Sequence, residues 1–359
     1  MEATTTTKST KAPGMARKAA VFIGKIALLG LALLVVLVLA SRIVEPKDNS
    51  PESGIRYPSA YGILGEPGDS IDVLLLGSSI GATSIAPLEM YQDAGFASYQ
   101  MATKGQHICL TSTMVREAFK NQSPQLVVIE ADVAFYHMSA SQAVSRVLMT
   151  ALPVFNYHDR WKTLTPRDFT DAFSEPACTY TDPNKGYTIN EKYAAAPYGN
   201  DYLVEGGAAE PIPRLNKPFF QDVVDYCTAH GAQVIVVSTP NPSNWTWGRH
   251  LTMQAFCDQN GIAFYDMNTE EALGQIGLDW QTDSRDGGDH LNARGGMKVS
   301  SVLAQYVAGA YGLPDHRADD AYASWGTAAD DFAARIAAID YIPFTEADAA
   351  AAAAEEAAN

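Results

Sequence analysis

The stretch Ile71-Asp-Val-Leu-Leu-Leu76-Gly77-Ser78-Ser79-Ile80-Gly81 decides the fold. Residues 71–76 are apolar except at Asp72. A strand buried on both faces of a parallel sheet reads this way. The run stops abruptly in small residues, as a strand-to-helix turn does. Downstream the same alternation continues. Residues 87–94 read as a helix closed by Gly95, 97–101 as a strand, 108–121 as a helix and 125–129 as a strand. After a long interruption it resumes. A helix over 216–229 ends at Gly231, and Gln233–Ser238 is a strand. A helix over 249–259 ends at Gly261, 262–265 is a strand, and Asn292 caps a long helix reaching about Tyr311. Strands alternating with helices imply a parallel sheet covered on both faces. Five strands fit a flavodoxin-like doubly wound α/β sheet of order 2-1-3-4-5, spanning residues 71–315.

Upstream lies a different kind of segment. Residues 20–41 carry one charge, Lys25 near the inner end, and supply about the ~20 residues that a spanning helix needs. Residues 1–19 hold Lys8, Lys11, Arg17 and Lys18. The positive-inside rule then puts this end in the cytoplasm and the body of the chain outside. A cleaved signal peptide is the competing reading, but its apolar core is normally ~7–15 residues with a small-residue cleavage site. This run is longer and has no clean site. Residues 42–70 read as a stalk or entry loop. Residues 137–215 form an excursion that fits no simple crossover, and long insertions of this kind often shape substrate sites. Residues 316–359 read as a C-terminal helix and an acidic, Ala-rich tail, to which no function is attached.

Composition excludes some functions. The chain has 359 residues, 47% hydrophobic, with a formal net charge of -16. That is enough for one sizeable core. Nucleic-acid binding needs clustered Lys and Arg, which the chain lacks. Cys109, Cys178, Cys227 and Cys257 form no C-x-x-C pair, so a zinc or redox motif has no support. Cys227 and Cys257 fall on neighbouring predicted helices, either as a disulfide or as free buried thiols. No spacing of His and carboxylates marks a metal site, and no cofactor motif is present.

Chemistry concentrates at two places. Ser79 ends the first strand, beside the switch point where doubly wound sheets bind ligands. Far along the chain comes Asp283-Ser-Arg-Asp286-Gly-Gly-Asp289-His290-Leu-Asn292, between the fifth strand and the long helix. Such a loop can arch back over the carboxyl edge of the sheet and bring His290 to Ser79. A nucleophilic serine needs a base, an orienting acid and oxyanion donors. Amides at Ser79 and at Gly105, in the loop after the second strand, are the candidate donors. Ser78, His107 and Trp247 are candidate substrate-binding residues. Trp245 and Trp247 suit either stacking on a sugar or packing, and His158-Asp-Arg-Trp161 suits either an acceptor site or a structural cluster. Gly77-Ser-Ser79-Ile-Gly81 also matches the G-x-S-x-G nucleophile elbow. An elbow serine lies mid-sheet after several strands, and Ser79 follows the first.

On these blocks residues 70–311 resemble the SGNH/GDSL hydrolase superfamily. Gly77-Ser78-Ser79 is similar to the G-D-S block with Ser78 in place of Asp, Gly105 to the second block's glycine, and the loop ending in His290 to the D-x-x-H block. The G-S-S and D-H-L-N pattern looks most like a membrane-anchored bacterial subgroup associated with O-acylation of cell-surface polymers. The resemblance implies a serine O-acyl esterase or acyltransferase acting on an acylated glycan or wall polymer, partnered by a membrane-bound O-acyltransferase. The chain departs from the family twice. Glu130-Ala-Asp132 stands where the G-x-N-D block belongs, and Gly287, not Asp, lies three before His290. Either Asp286 orients His290 through a Gly-Gly bulge, or Asp289 has another role such as fixing the loop. The departures motivate the alternative of a catalytically silent glycan-binding or scaffold domain.

Overall fold

The computed structural model describes residues 13–358 and divides them into two compact units, 13–45 with 148–175, and 46–147 with 176–358. Residues 1–12, most of the expected cytoplasmic end, lie outside the described residues.

The first unit is dominated by one helix, α1 (Pro13–Val44). Within it, Ala16–Val44 is long and apolar enough to cross a membrane, and its apolar window is 0% buried. Short helical turns at Val154–Tyr157, His158–Lys162 and Pro166–Thr170 complete this unit.

The second unit is a doubly wound α/β fold. In chain order its main elements are β1 (Val73–Gly77), α2 (Ser79–Ser84), α3 (Pro87–Ala94), β2 (Ser98–Ala102), α4 (Ile108–Ala118) and β3 (Leu126–Glu130). Then follow α5 (Ala140–Ala151, leading into the first unit), α6 (Asn216–Ala229), β4 (Gln233–Ser238), α7 (Trp247–Asn260), β5 (Ala263–Asp266) and α8 (Glu270–Ile276). The chain closes with α9 (Ala293–Tyr311), α10 (Ala323–Ala337) and α11 (Glu346–Ala358). All strand pairs of the main sheet are parallel, in the order β2-β1-β3-β4-β5. This is the 2-1-3-4-5 order read from the alternation.

Strand periodicity explains the two cores. Leu74, Leu76, Val127, Ile129, Val234 and Val236 point to one face and pack under α4, α6 and α7 through Met114, Phe220, Val224 and Phe256. Val73, Leu75, Leu126, Val128, Ile235 and Val237 point to the other, under α8 and α9 through Leu273, Val299 and Leu303. Because successive side chains alternate and both faces are covered, the central stretches of β1, β3 and β4 are apolar on both faces. Helix ends follow local chemistry. Gly95 and Gly261 adopt left-handed φ at the ends of α3 and α7, and the Asn292 side chain accepts the Gly295 N–H to start α9.

Several boundaries differ from the pattern reading. The first three strands lie one to two residues later than expected, because hydrogen bonding to neighbours sets a strand's ends. The helix over 108–121 stops at Ala118, where Phe119 caps it and the chain turns toward β3. Helix α8, capped by Thr269, intervenes between β5 and the His290 loop and was not anticipated. The Ala-rich tail is helical as α11. Ahead of it, Ile342–Pro343 pairs in parallel with Lys192–Tyr193, and Lys192 forms an ion pair with Asp348. All four cysteines are free.

Candidate active site

The carboxyl ends of β1, β3 and β4 converge, and the site is assembled there. Gly77 and Gly81 flank Ser79 for a packing reason. A Cβ on Gly77 would lie 2.9 Å from the Glu130 Cβ, and one on Gly81 3.2 Å. The two glycines therefore let the β1 turn close against the end of β3. Ser78 caps α2, its Oγ accepting the Ile80 N–H at 3.3 Å and donating to Asp132 Oδ2 at 3.3 Å. This pins the turn and leaves Ser79, the first residue of α2, facing the cleft.

The histidine arrives on a zipped loop. Ser284 bridges Leu291, Arg285 N–H donates to the His290 carbonyl at 2.8 Å, and Asn292 N–H to the Asp283 carbonyl at 2.9 Å. Inside, the Ser284 hydroxyl accepts the N–H groups of Gly287 and Gly288 at 3.0 and 2.8 Å. Both glycines hold positive φ, 85° and 116°. That backbone reversal carries Asp286 to His290 despite the extra residue between them. A Cβ on Gly288 would lie 2.7 Å from the Tyr198 ring.

The result is a linear relay. His290 Nε2 lies 2.9 Å from Ser79 Oγ, and His290 Nδ1 lies 2.8 Å from Asp286 Oδ2. Asp289 Oδ2 also approaches Nδ1, at 3.2 Å, while its Oδ1 accepts from Asn244 and, at 3.5 Å, from Asn241. With two carboxylates at Nδ1, the neutral ring carries its proton on that nitrogen, which leaves Nε2 to accept from the serine. Burial alone would lower the His290 pKa, but hydrogen bonds and charge from Asp286 and Asp289 overcome it and raise it to about 9. Burial pushes the Asp289 carboxyl up, and its hydrogen bonds from His290, Asn241 and Asn244 more than offset that, leaving it below the ordinary value.

Ser79 and His290 share a cleft of about 480 Å³ with Gly105, Asp132, Asn244 and Arg249. Gly105 adopts φ 60° in the loop after β2. Asp132 lies just after β3, in the stretch that stands where the G-x-N-D block belongs. Its Oδ1 accepts Arg249 Nη1 at 3.2 Å. Burial raises the Asp132 carboxyl in spite of Arg249. Behind it Glu130 is fully buried and accepts the Asp132 N–H at 3.1 Å. Burial, then the Asp132 charge, hold Glu130 far above the usual carboxylate range.

Three candidate substrate residues stand elsewhere. Ser78 is buried as a cap. His107 is buried, in tilted ring contact with Tyr136 and paired with Gln142. Trp247 stacks on His250 at 4.4 Å. None of the three lines the cleft. Trp245 is likewise a packing residue, bonded through Nε1 to Asp266 at 3.0 Å. Of the 137–215 excursion only His137 reaches the cleft wall, whereas Ala352 of the tail does. Arg249 was not singled out from the sequence. One arginine at the start of a helix carries no periodic or motif signal, and only the tertiary pairing with Asp132 marks it. Asp286, Asp289 and His290 offer three atoms within 4.8 Å of one another, the one such grouping among the described residues. Both carboxylates face His290 Nδ1, and Nε2 faces Ser79 Oγ.

The sequence matches no family model and no curated protein. Solved structures similar to this chain include a Bacteroides fragilis protein described as a candidate acylhydrolase, at 14% identity and TM-score 0.36, covering 70% of this chain and 95% of that one. A GDSL-like lipase from Bacteroides thetaiotaomicron is similar at 14% identity and TM-score 0.32, covering 66% and 88%. A Bacillus subtilis protein is similar at 12% identity and TM-score 0.35, covering 70% and 59%.

Proposed function

We propose that the chain is a serine O-acyl esterase or acyltransferase, held at the outer face of a membrane by α1 and acting on an acylated cell-surface glycan or wall polymer. The observation that carries the chemistry is the Ser79–His290–Asp286 relay, with contacts of 2.9 and 2.8 Å opening onto one cleft. Ser79 Oγ attacks the acyl carbonyl carbon while its proton passes to His290 Nε2. The oxygen gains charge and is met by the amides of Ser79 and Gly105. Collapse breaks the ester bond, and the alkoxide leaving group takes the proton back from Nε2. An acyl-Ser79 remains. Water or a sugar hydroxyl then adds to it, giving up its proton to His290, and Ser79 is released. Asp286 fixes the tautomer and stabilises the imidazolium throughout. The acceptor decides between hydrolysis and transfer, so water exclusion at the cleft mouth matters.

The glycan acceptor follows from the resemblance and from an exported domain. The polar part of the wall, with Asp132, Asn244 and Arg249, suits a hydroxyl-bearing substrate. Arg17, Lys18 and Lys25 on the N-terminal side orient α1 with that end in the cytoplasm. A membrane-bound O-acyltransferase is the donor partner this reading calls for. The test is turnover of p-nitrophenyl acetate by the full chain beside Ser79→Ala and His290→Ala. Loss of at least about a hundredfold in both variants supports the reading. Equal rates in all three would remove the ester chemistry and leave a binding domain.

A further inference from the structure

The final turn of α1 is built into folded structure, unlike the rest of the helix. Ser41 and Val44 are 4% and 7% exposed, whereas the apolar window is 0% buried. Ser41 Oγ accepts the Val154 N–H at 3.0 Å, and Arg160 Nη1 donates to the Val44 carbonyl. Arg160 is held from the other side by Asp168 at 2.9 Å, and Asp168 closes a capping box with Thr165. All three short helical turns of this unit touch α1. Residues 148–175 are therefore a collar fixed to the outer end of the helix.

The collar's outward side chains are the wrong ones for water. Phe155, Trp161, Phe169 and Phe173 are 42%, 65%, 57% and 75% exposed, with Leu148 at 45%. Scattered exposed apolar residues need no explanation, but four large aromatics in one short collar do. Continuity with α1 says what covers them. An apolar helix of ~20 residues fills the hydrocarbon layer, so Ser41 to Val44 emerge at headgroup depth. Trp is favoured there because its ring is apolar and its N–H polar, and Phe buries its ring at the acyl boundary beneath the headgroups. Lys162 lies 5.8 Å from the Trp161 ring and pairs with Asp159 at 3.2 Å, and Arg167 pairs with Asp171 at 3.1 Å; both cations stay more than half exposed, within reach of lipid phosphates.

We propose that the collar 148–175 sits in the outer headgroup layer of the membrane that α1 spans. Phe155, Trp161, Phe169 and Phe173 enter the lipid, and Lys162 and Arg167 meet its phosphates. This rests on the reading of α1 as an uncleaved anchor, and gives that anchor a second, interfacial foothold. A cleaved leader would strip Val154 and Arg160 of their partners on α1.

The experiment uses the full chain in phosphatidylcholine–phosphatidylglycerol vesicles whose acyl chains are brominated near the headgroup. Trp161→Phe is the reference, and the difference isolates Trp161 from the other tryptophans. The Trp161 emission is expected to fall at least about twofold in brominated vesicles. The combined variant Phe155→Ser, Phe169→Ser, Phe173→Ser, which keeps Trp161, is expected to lose that quenching while remaining bound through α1. Trp161 emission that ignores the brominated lipid and is freely quenched by acrylamide overturns the proposal. So does acrylamide protection found in native membranes but not in vesicles, which assigns the face to a protein partner. Alkaline carbonate extraction separates the two failures. Extracted protein means that α1 is no anchor, while retained protein with unquenched Trp161 means that only the collar reading is wrong.

Discussion

Asp286 grips His290 twice, its Oδ1 accepting the histidine's backbone N–H at 2.7 Å and its Oδ2 facing the imidazole Nδ1 at 2.8 Å. One carboxylate thus fixes both the main chain and the ring. Asp289 reaches the same nitrogen from 3.2 Å, with its other oxygen given to Asn244. The two acids are therefore unequal. Asp286→Asn presents the wrong group to Nδ1 and loosens the loop, so kcat for an ester substrate should fall by about 10³–10⁴. Asp289→Asn leaves the relay intact and should cost about tenfold or less. Steady-state kinetics of the two variants, with circular dichroism to check folding, decides it.

The pH behaviour follows from the same pair. A base must be neutral to act, and His290 is raised from 6.5 to about 9. The kcat/KM profile should therefore rise through an apparent pKa well above 6.5, and Asp289→Asn should move that limb to lower pH. Stability runs the other way. A raised histidine contributes stability that is fully present below 6.5 and is lost as pH climbs through about 9. The Tm of the wild type should fall over that interval more than the Tm of His290→Gln. Parallel curves would mean that the imidazolium is not held by the two carboxylates.

Gly288→Ala tests the loop. Its φ of 116° is disfavoured for any side chain, and the added Cβ would meet the Tyr198 ring at 2.7 Å. A stability loss of about 1–3 kcal/mol by denaturant titration is expected, with activity reduced as His290 drifts from Ser79. Full activity at wild-type Tm would show that the loop reaches His290 in another backbone state.

Arg249→Ala leaves Asp132, half-buried beside the nucleophile, without its cation. A loss of about 1–3 kcal/mol is expected, as for removing one partner of a partly buried charged hydrogen bond. Arg249→Ala with Asp132→Asn should recover much of it, because the neutral amide needs no counter-charge. A double variant no more stable than Arg249→Ala would show that Arg249 acts mainly by packing on Phe135, whose ring centre lies 5.0 Å from the guanidinium.

The residue pattern alone determined the sheet. Runs such as 73–76 and 234–237 are apolar at every register because both faces of a parallel strand are buried, and hydrophobicity is a property of each residue. The helix starts and stops at Gly95, Gly261 and Asn292 were readable for a similar reason, since caps are local chemistry. Ser79 and His290 could be picked out because the order of strands dictates which turns share an edge. Tertiary structure decided what depends on approach between distant groups. The 2.7 Å grip of Asp286, the Asp132–Arg249 pair, the burial of His107 and Ser78, and Ala352 at the cleft wall are of this kind. Each is a distance of a few ångströms between elements, set by how helices and loops pack on the sheet, and no spacing along the chain encodes it.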